Sequence, residues 1–150
     1  MFKHILIPTD GSELSRRAVL AGVRLARALG AKVTGLFAAP AATPIVYRDL
    51  LPVGYGTPQQ NAVLIKRAAR HHLDVVARAA KAAGVRCETV SVIDDYPADA
   101  ILMQAKKRRC DLIFMASHGR RGLRGALLGS ETQKVLAASA LPVLVYRRKS

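Results

Sequence analysis

Apolar residues along this chain form two patterns, short continuous runs and longer stretches with a helical repeat. The continuous runs predict five buried strands, at residues 5–7, 32–38, 86–92, 111–116 and 142–146. Between them, apolar residues recur every three or four positions, which predicts four helices, over residues 13–29, 59–83, from 97 onward and over 131–140. Strands that are apolar throughout and alternate with helices are typical of a parallel sheet with helices on both faces. The pattern therefore predicts an α/β fold in a single domain, residues 1–150.

Local signals define the ends of several of these elements. Ser12 is a typical N-cap for the first helix, Ser15 adds a second polar contact in its first turn, and Gly30 ends it. Pro97 is favoured in the first turn of a helix and predicts the start of the third one. Residues 39–58 contain four prolines and two glycines, which predicts a long irregular connection.

The most unusual composition follows the fourth strand. Residues 116–130 read ASHGRRGLRGALLGS, and the last helix is predicted to begin directly afterwards, near Glu131. Glycines let backbone N–H groups approach a ligand, and a helix N-terminus adds unpaired donors and a partial positive charge. The arginines of this segment add full charges. The combination suits an anion, above all the phosphates of a nucleotide; the alternative is that the glycines only permit a tight surface loop.

The position of this segment in the predicted fold also favours a binding site. Open parallel sheets bind ligands beyond the carboxyl ends of their strands, where the winding direction reverses. Asp10 lies just beyond the first strand, and residues 117–119 lie just beyond the fourth. The segment is not a Walker A loop, since Gly-x4-Gly-Lys-Ser/Thr is missing, and a dinucleotide fingerprint would follow the first strand instead.

Three stretches in combination resemble the universal stress protein family over essentially the whole chain. They are ILIPTDGS from Ile5, DLIFMASHGRRGL from Asp111 with LGSET from Leu128, and the ending from Val135 that contains LPVLV. With this resemblance we predict a Rossmann-like, open five-stranded parallel sheet in the strand order 3-2-1-4-5. The ATP-binding branch of that family carries Gly, two residues, Gly, nine residues and then Gly-Ser/Thr. Here Ala116 stands at the first glycine, Gly119 at the second and Gly129-Ser130 at the end.

The resemblance implies a nucleotide site built from several connections of the sheet. It implies that the phosphates are held by Gly119, Arg120, Gly129, Ser130 and the N–H groups near Glu131 and Thr132. It also implies that Asp10 meets the ribose, with Pro8 and Thr9 beside it, and that Ala38 offers its backbone to the adenine edge. The expected site further includes Ala116, Ser117, His118, Arg121 and Gly122.

Three of these residues have structural interpretations as well. The side chain of Asp10 can stabilise its turn by bonding to Ser12, and Ser130 can serve as the N-cap of the last helix. His118 can contact a phosphate or can fix the loop in place. These alternatives stay open at the level of the sequence.

The remaining histidines and acidic residues do not predict a metal site held by side chains. His71 and His72 are adjacent on a helix and so do not share a face, and we interpret both as partly exposed. Asp94 and Asp95 have no partner cluster and are better interpreted as a turn before Pro97.

The chain carries a net charge of +14, from 24 basic and 10 acidic residues. Such a charge favours encounter with polyanions. Much of it, however, lies at helical spacing, as in Arg16, Arg17, Arg24 and Arg27, which is typical of a solvated polar helix face. Because aromatic residues are not interleaved with the basic ones and no base-reading motif is present, we expect no specific nucleic-acid partner.

We expect a cytoplasmic protein without a membrane partner. Cys87 and Cys110 are too few for a disulfide framework, so reduced thiols are the default. The apolar run at the N-terminus is too short for a signal peptide, and no run approaches the length of a transmembrane helix.

The leading hypothesis for function is an ATP-binding stress-response protein that acts as a nucleotide-dependent switch or regulator. A Mg²⁺ or Mn²⁺ ion would be held through the phosphates. No catalytic residue set is evident, although slow ATP hydrolysis or self-phosphorylation stays open. One alternative is a genuine ATPase or phosphotransferase that uses Asp10 or His118. Another is a stress protein that binds no nucleotide and acts through protein or nucleic-acid contacts.

The last predicted strand, residues 142–146, is expected to lie at an edge of the sheet. A bare apolar edge invites pairing with another strand. The resemblance implies that two copies pair there and form a homodimer.

Overall fold

The computed structural model describes residues 1–40, 58–119 and 128–147, in which five strands alternate with four helices. The strands are β1 (His4–Pro8), β2 (Lys32–Ala39), β3 (Cys87–Ile93), β4 (Leu112–Ala116) and β5 (Val143–Tyr146). The helices are α1 (Glu13–Leu29), α2 (Pro58–Ala82), α3 (Pro97–Lys107) and α4 (Ser130–Ala138). The predicted elements are therefore confirmed, with small differences at their ends.

The strands form one open sheet in the order β3-β2-β1-β4-β5, and each neighbouring pair runs parallel. β1 lies in the middle, where Ile5 pairs with Val33 of β2 on one side and with Leu112 of β4 on the other. The chain winds in one direction from β1 to β3 and in the other through β4 and β5. The predicted strand order and the predicted reversal of winding beside β1 are confirmed.

Two layers of helices cover the sheet. Val19 and Val23 of α1 and Val76 of α2 pack with Ile5 and other strand residues in one apolar cluster. On the opposite face, side chains of α3 and α4 pack in a second cluster with the alternate residues of the same strands. Because both faces are covered, the central strands are buried almost throughout, which explains their continuous apolar runs.

The ends of α1 form as the sequence predicts. The Ser12 side chain accepts a hydrogen bond from the N–H of Ser15 at 3.2 Å, and Gly30 ends the helix with a left-handed φ of 64°. Pro97 is the first residue of α3, and the carboxylate of Asp94 accepts the N–H of Tyr96 at 2.9 Å, which forms the turn expected there.

An alternative left open for Ser130 and a prediction for His72 do not hold. Gly129, and not Ser130, is the N-cap of α4, because the helix begins one residue earlier than predicted. His72 is buried and only 6% exposed, whereas it was expected to be partly exposed. Its position on α2 lies between Ala69 and Val76, which both face the core.

The two edges of the sheet have different surfaces. On β5 every residue is apolar or aromatic, and Leu144 is 39% exposed. On β3, at the other edge, the exposed positions include Glu88, Thr89 and Ser91. The prediction that the last strand lies at an edge is confirmed.

A polar cluster joins three strands, near their amino ends, to the end of α3. The hydroxyl of Thr34 donates to the carboxylate of Glu88 at 2.8 Å and accepts from Nε2 of buried His4 at 2.7 Å. The other oxygen of Glu88 pairs with Arg108, just beyond α3, at 2.9 Å. We call His4, Thr34, Glu88 and Arg108 the amino-end cluster; it links β1, β2, β3 and the end of α3.

The environment of this cluster changes two pKa values. Burial, followed by the nearby Lys32, lowers the pKa of His4 below its ordinary value of 6.5, while Glu88 and Asp111 act in the opposite direction. The hydrogen bond from Thr34, and then the one from Arg108, hold the pKa of Glu88 below its ordinary value. His4 is therefore held neutral and Glu88 ionised over the neutral pH range.

Both cysteines carry free thiols. Burial, reinforced by Glu88 and Asp111, raises the pKa of Cys110 to about 11, so this thiol stays protonated. None of the described helices combines the length and the apolar character needed to cross a lipid bilayer.

Candidate functional site

Two connections meet at the carboxyl ends of the central strands, one after β1 and the other after β4. Gly119 lies directly against the carboxylate of Asp10, so closely that a methyl group at Gly119 would overlap with Oδ2 of Asp10. A side chain at Gly119 would require the carboxylate of Asp10 to move. The two connections that the sequence singled out for a ligand are thus brought together.

Hydrogen bonds hold the connection after β1 in one conformation. Oδ1 of Asp10 accepts the N–H of Ser12 at 2.9 Å, so the turn-stabilising role considered for Asp10 is present. The buried hydroxyl of Thr9 accepts the N–H of Gly11 at 3.2 Å and lies 3.0 Å from the hydroxyl of Ser15. Pro8 ends β1 and is partly exposed beside them. This turn presents the second oxygen of Asp10 toward Gly119.

The ring of His72, from α2, packs against the backbone of Gly11. Gly11 has a left-handed φ of 78°, and a methyl group there would overlap with the imidazole. The same ring lies 5.2 Å from the ring of Phe37, near the end of β2. The ring of His72 therefore packs between α2 and the connection after β1.

A second set of hydrogen bonds fixes the end of β4. The carbonyl of Ser117 accepts the N–H of Gly129 at 2.7 Å, and the N–H of Ser117 donates to the carbonyl of Tyr146 at 2.8 Å. The Ser117 hydroxyl lies 3.2 Å from Nδ1 of His118. Gly129 contacts the backbone of His118 closely enough that a side chain at Gly129 would be tight. The ring of His118 thus contacts the residue next to it in the chain.

The first turn of α4 points its amino end into the same region. The hydroxyl of Thr132 donates to the carbonyl of Ala116 at 3.0 Å and is buried, so it anchors the helix to β4. The carboxylate of Glu131 accepts the N–H of Ala98 at 2.9 Å and pairs with Lys134 at 2.9 Å. These side chains have structural partners, whereas the N–H groups of Ser130, Glu131 and Thr132 are those that a helix leaves without intrahelical acceptors.

The electrostatics at this helix end favour an anion. Unpaired N–H groups and the helix macrodipole place partial positive charge at the start of α4. Ser130 is exposed there, and the side chain of Gln133 donates to the carbonyl of Leu128 at 2.9 Å, which holds the residues before the helix.

Ala116 stands where the motif described above has its first glycine. Its side chain is 8% exposed and belongs to the apolar cluster beneath α1, together with Phe114. The additional methyl group therefore points into the core and not toward the start of α4. Ala38 lies one residue before the end of β2, pairs with Val92 of β3 and is partly exposed.

The structure thus brings together most of the expected residues at one end of the sheet. They are Pro8, Thr9, Asp10, Ala116, Ser117, His118, Gly119, Gly129, Ser130, Glu131 and Thr132. Ala38 lies at the same end, on β2. Arg120, Arg121 and Gly122 lie outside the described residues.

Two features of the site were not found from the sequence. The helical repeat of α2 runs through Ile65, Ala69, Val76 and Ala80, and this spacing also places position 72 on the buried side, so the signal for His72 was available. The bond between Glu131 and the start of α3 joins residues 33 positions apart and has no local signal. Among the described residues no group of three or more His, Cys, Asp or Glu side chains could hold a metal ion.

Comparisons with known proteins agree with this architecture. A model of the universal stress protein family matches residues 1–147. Universal stress protein MJ0531 of Methanocaldococcus jannaschii is 32% identical over 148 residues, which cover 99% of this chain and 84% of the relative. The solved structure of MJ0577, from the same organism, has a TM-score of 0.80 at 25% identity and covers 100% of this chain and 99% of its own.

A further solved structure contains a ligand. It is a universal stress protein in complex with cAMP, with a TM-score of 0.64 and 26% identity over 97% of each chain.

Proposed function

Since the chain belongs to the universal stress protein family, we propose that it is an ATP-binding stress-response protein that acts through its nucleotide state. The observation that carries the proposal is the contact between Gly119 and Asp10, which joins the connection after β1 to the one that leads into α4. A carboxylate suited to a ribose hydroxyl and a helix start suited to phosphates lie at one end of the sheet.

In this proposal the phosphates bind at Gly119, Gly129 and the first N–H groups of α4, and Arg120, Arg121 and Gly122 also contribute to phosphate binding. Asp10 binds the ribose beside Pro8 and Thr9, and the backbone of Ala38 meets the adenine edge. His118 and Ser117 hold the loop. The cAMP complex of a relative with the same fold supports an adenine nucleotide as the ligand class.

A divalent ion, Mg²⁺ or Mn²⁺, would be held chiefly by the phosphates, and when bound it would neutralise part of their charge. We propose that hydrolysis is at most slow, so that the protein serves as a switch or regulator in the cytoplasm. We also propose that two copies pair through residues 142–146.

The test places a negative charge where the phosphates would bind. Ser130→Asp at the first position of α4 is favourable for the helix, because an acid there complements the macrodipole. It would nevertheless repel a polyphosphate. We expect saturable ATP binding by the unaltered protein in equilibrium titration, and roughly a tenfold or greater loss in Ser130→Asp without a loss of thermal stability.

Ala137→Asp is the matched control. It adds the same charge to an exposed position of the same helix, about 10 Å further along the axis, and should leave ATP affinity within about twofold. The absence of saturable binding by the unaltered protein, or equal losses in the two variants, would refute the proposed site.

A further inference from the structure

The two layers of helices differ strongly in charge. α1 and α2 together carry nine basic and two acidic residues, a net charge of +7 with histidine neutral. α3 and α4 carry three basic and two acidic residues, a net charge of +1. The excess positive charge on the helices is therefore concentrated on one side of the sheet.

All nine basic side chains of α1 and α2 are exposed, and we call this surface the basic face. It consists of Arg16, Arg17, Arg24, Arg27, Lys66, Arg67, Arg70, Arg78 and Lys81. The two helices pack beside each other on the same apolar cluster, so their exposed sides form one continuous surface. α2 alone extends about 37 Å, at 1.5 Å per residue.

The two acids of these helices do not balance the face. Glu13 pairs with Arg17 at 3.1 Å, and Asp74 pairs with Arg78 at 2.6 Å. Seven basic residues of the face therefore have no acidic counterpart on either helix. Some of the basic residues are three positions apart on one helix, as in Arg67 and Arg70 or Arg24 and Arg27, and these pairs are neighbours on the helix surface.

We propose that the basic face is a sequence-independent docking surface for the phosphate backbone of double-stranded nucleic acid. A duplex carries one phosphate charge for about every 1.7 Å of its axis, which a long row of cations complements. Seven of the nine basic residues are arginines, whose planar guanidinium group bonds phosphate with two parallel donors. Neither helix carries an aromatic ring of Phe, Tyr or Trp that could stack on unpaired bases, which favours a duplex over a single strand.

The apolar groups of the same helices favour nucleic acid over a membrane surface. A helix that binds in the plane of a membrane inserts its apolar side among the headgroups. Here the apolar sides of α1 and α2 are buried against the sheet, as in Val19, Val23 and Val76. Leu20 and Val63 are the large apolar residues of these helices that are mainly exposed in the described structure, and they lie on separate helices.

The experiment compares two charge reversals of equal size on opposite faces. Arg24→Glu with Arg70→Glu alters the basic face, and Lys106→Glu with Lys107→Glu alters two exposed residues at the end of α3. Binding to a fluorescent DNA duplex of mixed sequence is measured by anisotropy, between about 50 and 200 mM salt.

We expect the unaltered protein to lose affinity linearly with the logarithm of salt concentration. The basic-face pair should lower affinity by roughly tenfold or more and reduce the salt slope by about two, whereas the α3 pair should change affinity by less than about twofold. Arg24 and Arg70 are exposed in the interior of their helices, so we expect an unchanged unfolding temperature for the basic-face pair. The α3 pair places acids in the last turn of its helix and should lower the unfolding temperature slightly, which does not affect the comparison as long as the variant is folded. If the glutamate pair fails to fold, Arg24→Gln with Arg70→Gln makes the same comparison with half the change in charge.

Equal losses in the two pairs would show that only the total charge matters and would overturn the proposal. A strong preference for one DNA sequence would also overturn the proposal. Binding to vesicles rich in anionic lipid without binding to DNA would do the same. ATP titration of the same variants keeps the two proposals separate, since neither pair lies at the nucleotide site.

Discussion

Gly11 satisfies two constraints at one residue. Its φ of 78° lies in the left-handed region, and the ring of His72 occupies the space where a side chain would begin. Gly30 also has a left-handed φ, of 64°, but apart from its chain neighbours no atom of the described residues lies within 4 Å of the position of its absent side chain. A substitution at Gly30 therefore measures the cost of backbone strain alone, and the same substitution at Gly11 adds the cost of the contact with His72.

We expect Gly30→Ala to lower the free energy of unfolding by about 1–2 kcal/mol, the cost of a left-handed alanine. Gly11→Ala should cost about 1–3 kcal/mol more, because His72 must also move. Urea unfolding of both variants measures the difference. Adding His72→Ala to Gly11→Ala should recover part of the additional loss; equal costs in the two single variants would contradict the close contact.

At this scale the sequence predicts what depends on neighbours along the chain. Ser12 and Gly30 have the expected roles because a cap is formed by residues three or four positions apart. The contact between Gly119 and Asp10 joins residues far apart in sequence, and the chain pattern could place them only at the same end of the sheet. Which atoms touch depends on packing that no local pattern encodes.

At the scale of elements, strands and helices were predictable because each has its own period of apolar residues. The ends of helices were harder to predict where no side chain caps the helix, as at Gly129 before α4. That the residues after β1 and β4 lie together was also predictable, because the carboxyl ends of parallel strands share one edge of the sheet. The contact of His72 with the connection after β1 was not predicted, because a polar residue among apolar ones on a helix is expected at the surface.

The position of the apolar strand β5 at an edge of the sheet predicts a dimer, which can be tested by its mass. We expect light scattering to give about twice the chain mass of 16.1 kDa. Leu144→Lys, at a position 39% exposed on β5, should yield the monomer, because a lysine charge opposes pairing at a strand edge. Leu20→Lys, at a position 47% exposed on α1, is the control and should remain dimeric. Dissociation by both variants to the same extent would argue against pairing through β5.

At the scale of the whole molecule, the amino-end cluster joins strands from both halves of the chain. Its protonation states make stability depend on pH. The pKa of His4 is lower in the folded protein than the ordinary 6.5, so the unfolded chain binds more protons as pH falls through that value. The pKa of Glu88 is also lowered, so its contribution is present above its ordinary 4.5 and is lost below it.

We therefore expect the urea midpoint to decline as pH falls from 7 toward 5, and to decline further below 4.5. His4→Gln retains a hydrogen-bonding side chain without the titration, and should flatten the part of the curve between pH 7 and 5. Glu88→Gln should flatten the part below 4.5 and keep a decline between pH 7 and 5, since the charge of Glu88 opposes the lowering of the His4 pKa. A midpoint of the unaltered protein that rises on acidification would contradict the assigned direction of both pKa shifts.

The unequal edges of the sheet set a limit on how far such molecules can associate. If two copies join through β5, the combined ten-stranded sheet ends in β3 on both sides, where Glu88, Thr89 and Ser91 are exposed. Ile93 is exposed at the last position of β3, but the other exposed residues of this border are charged or carry hydroxyl groups. If each copy uses β5 for a single partner, association stops at two copies and the sheet does not grow into a fibre.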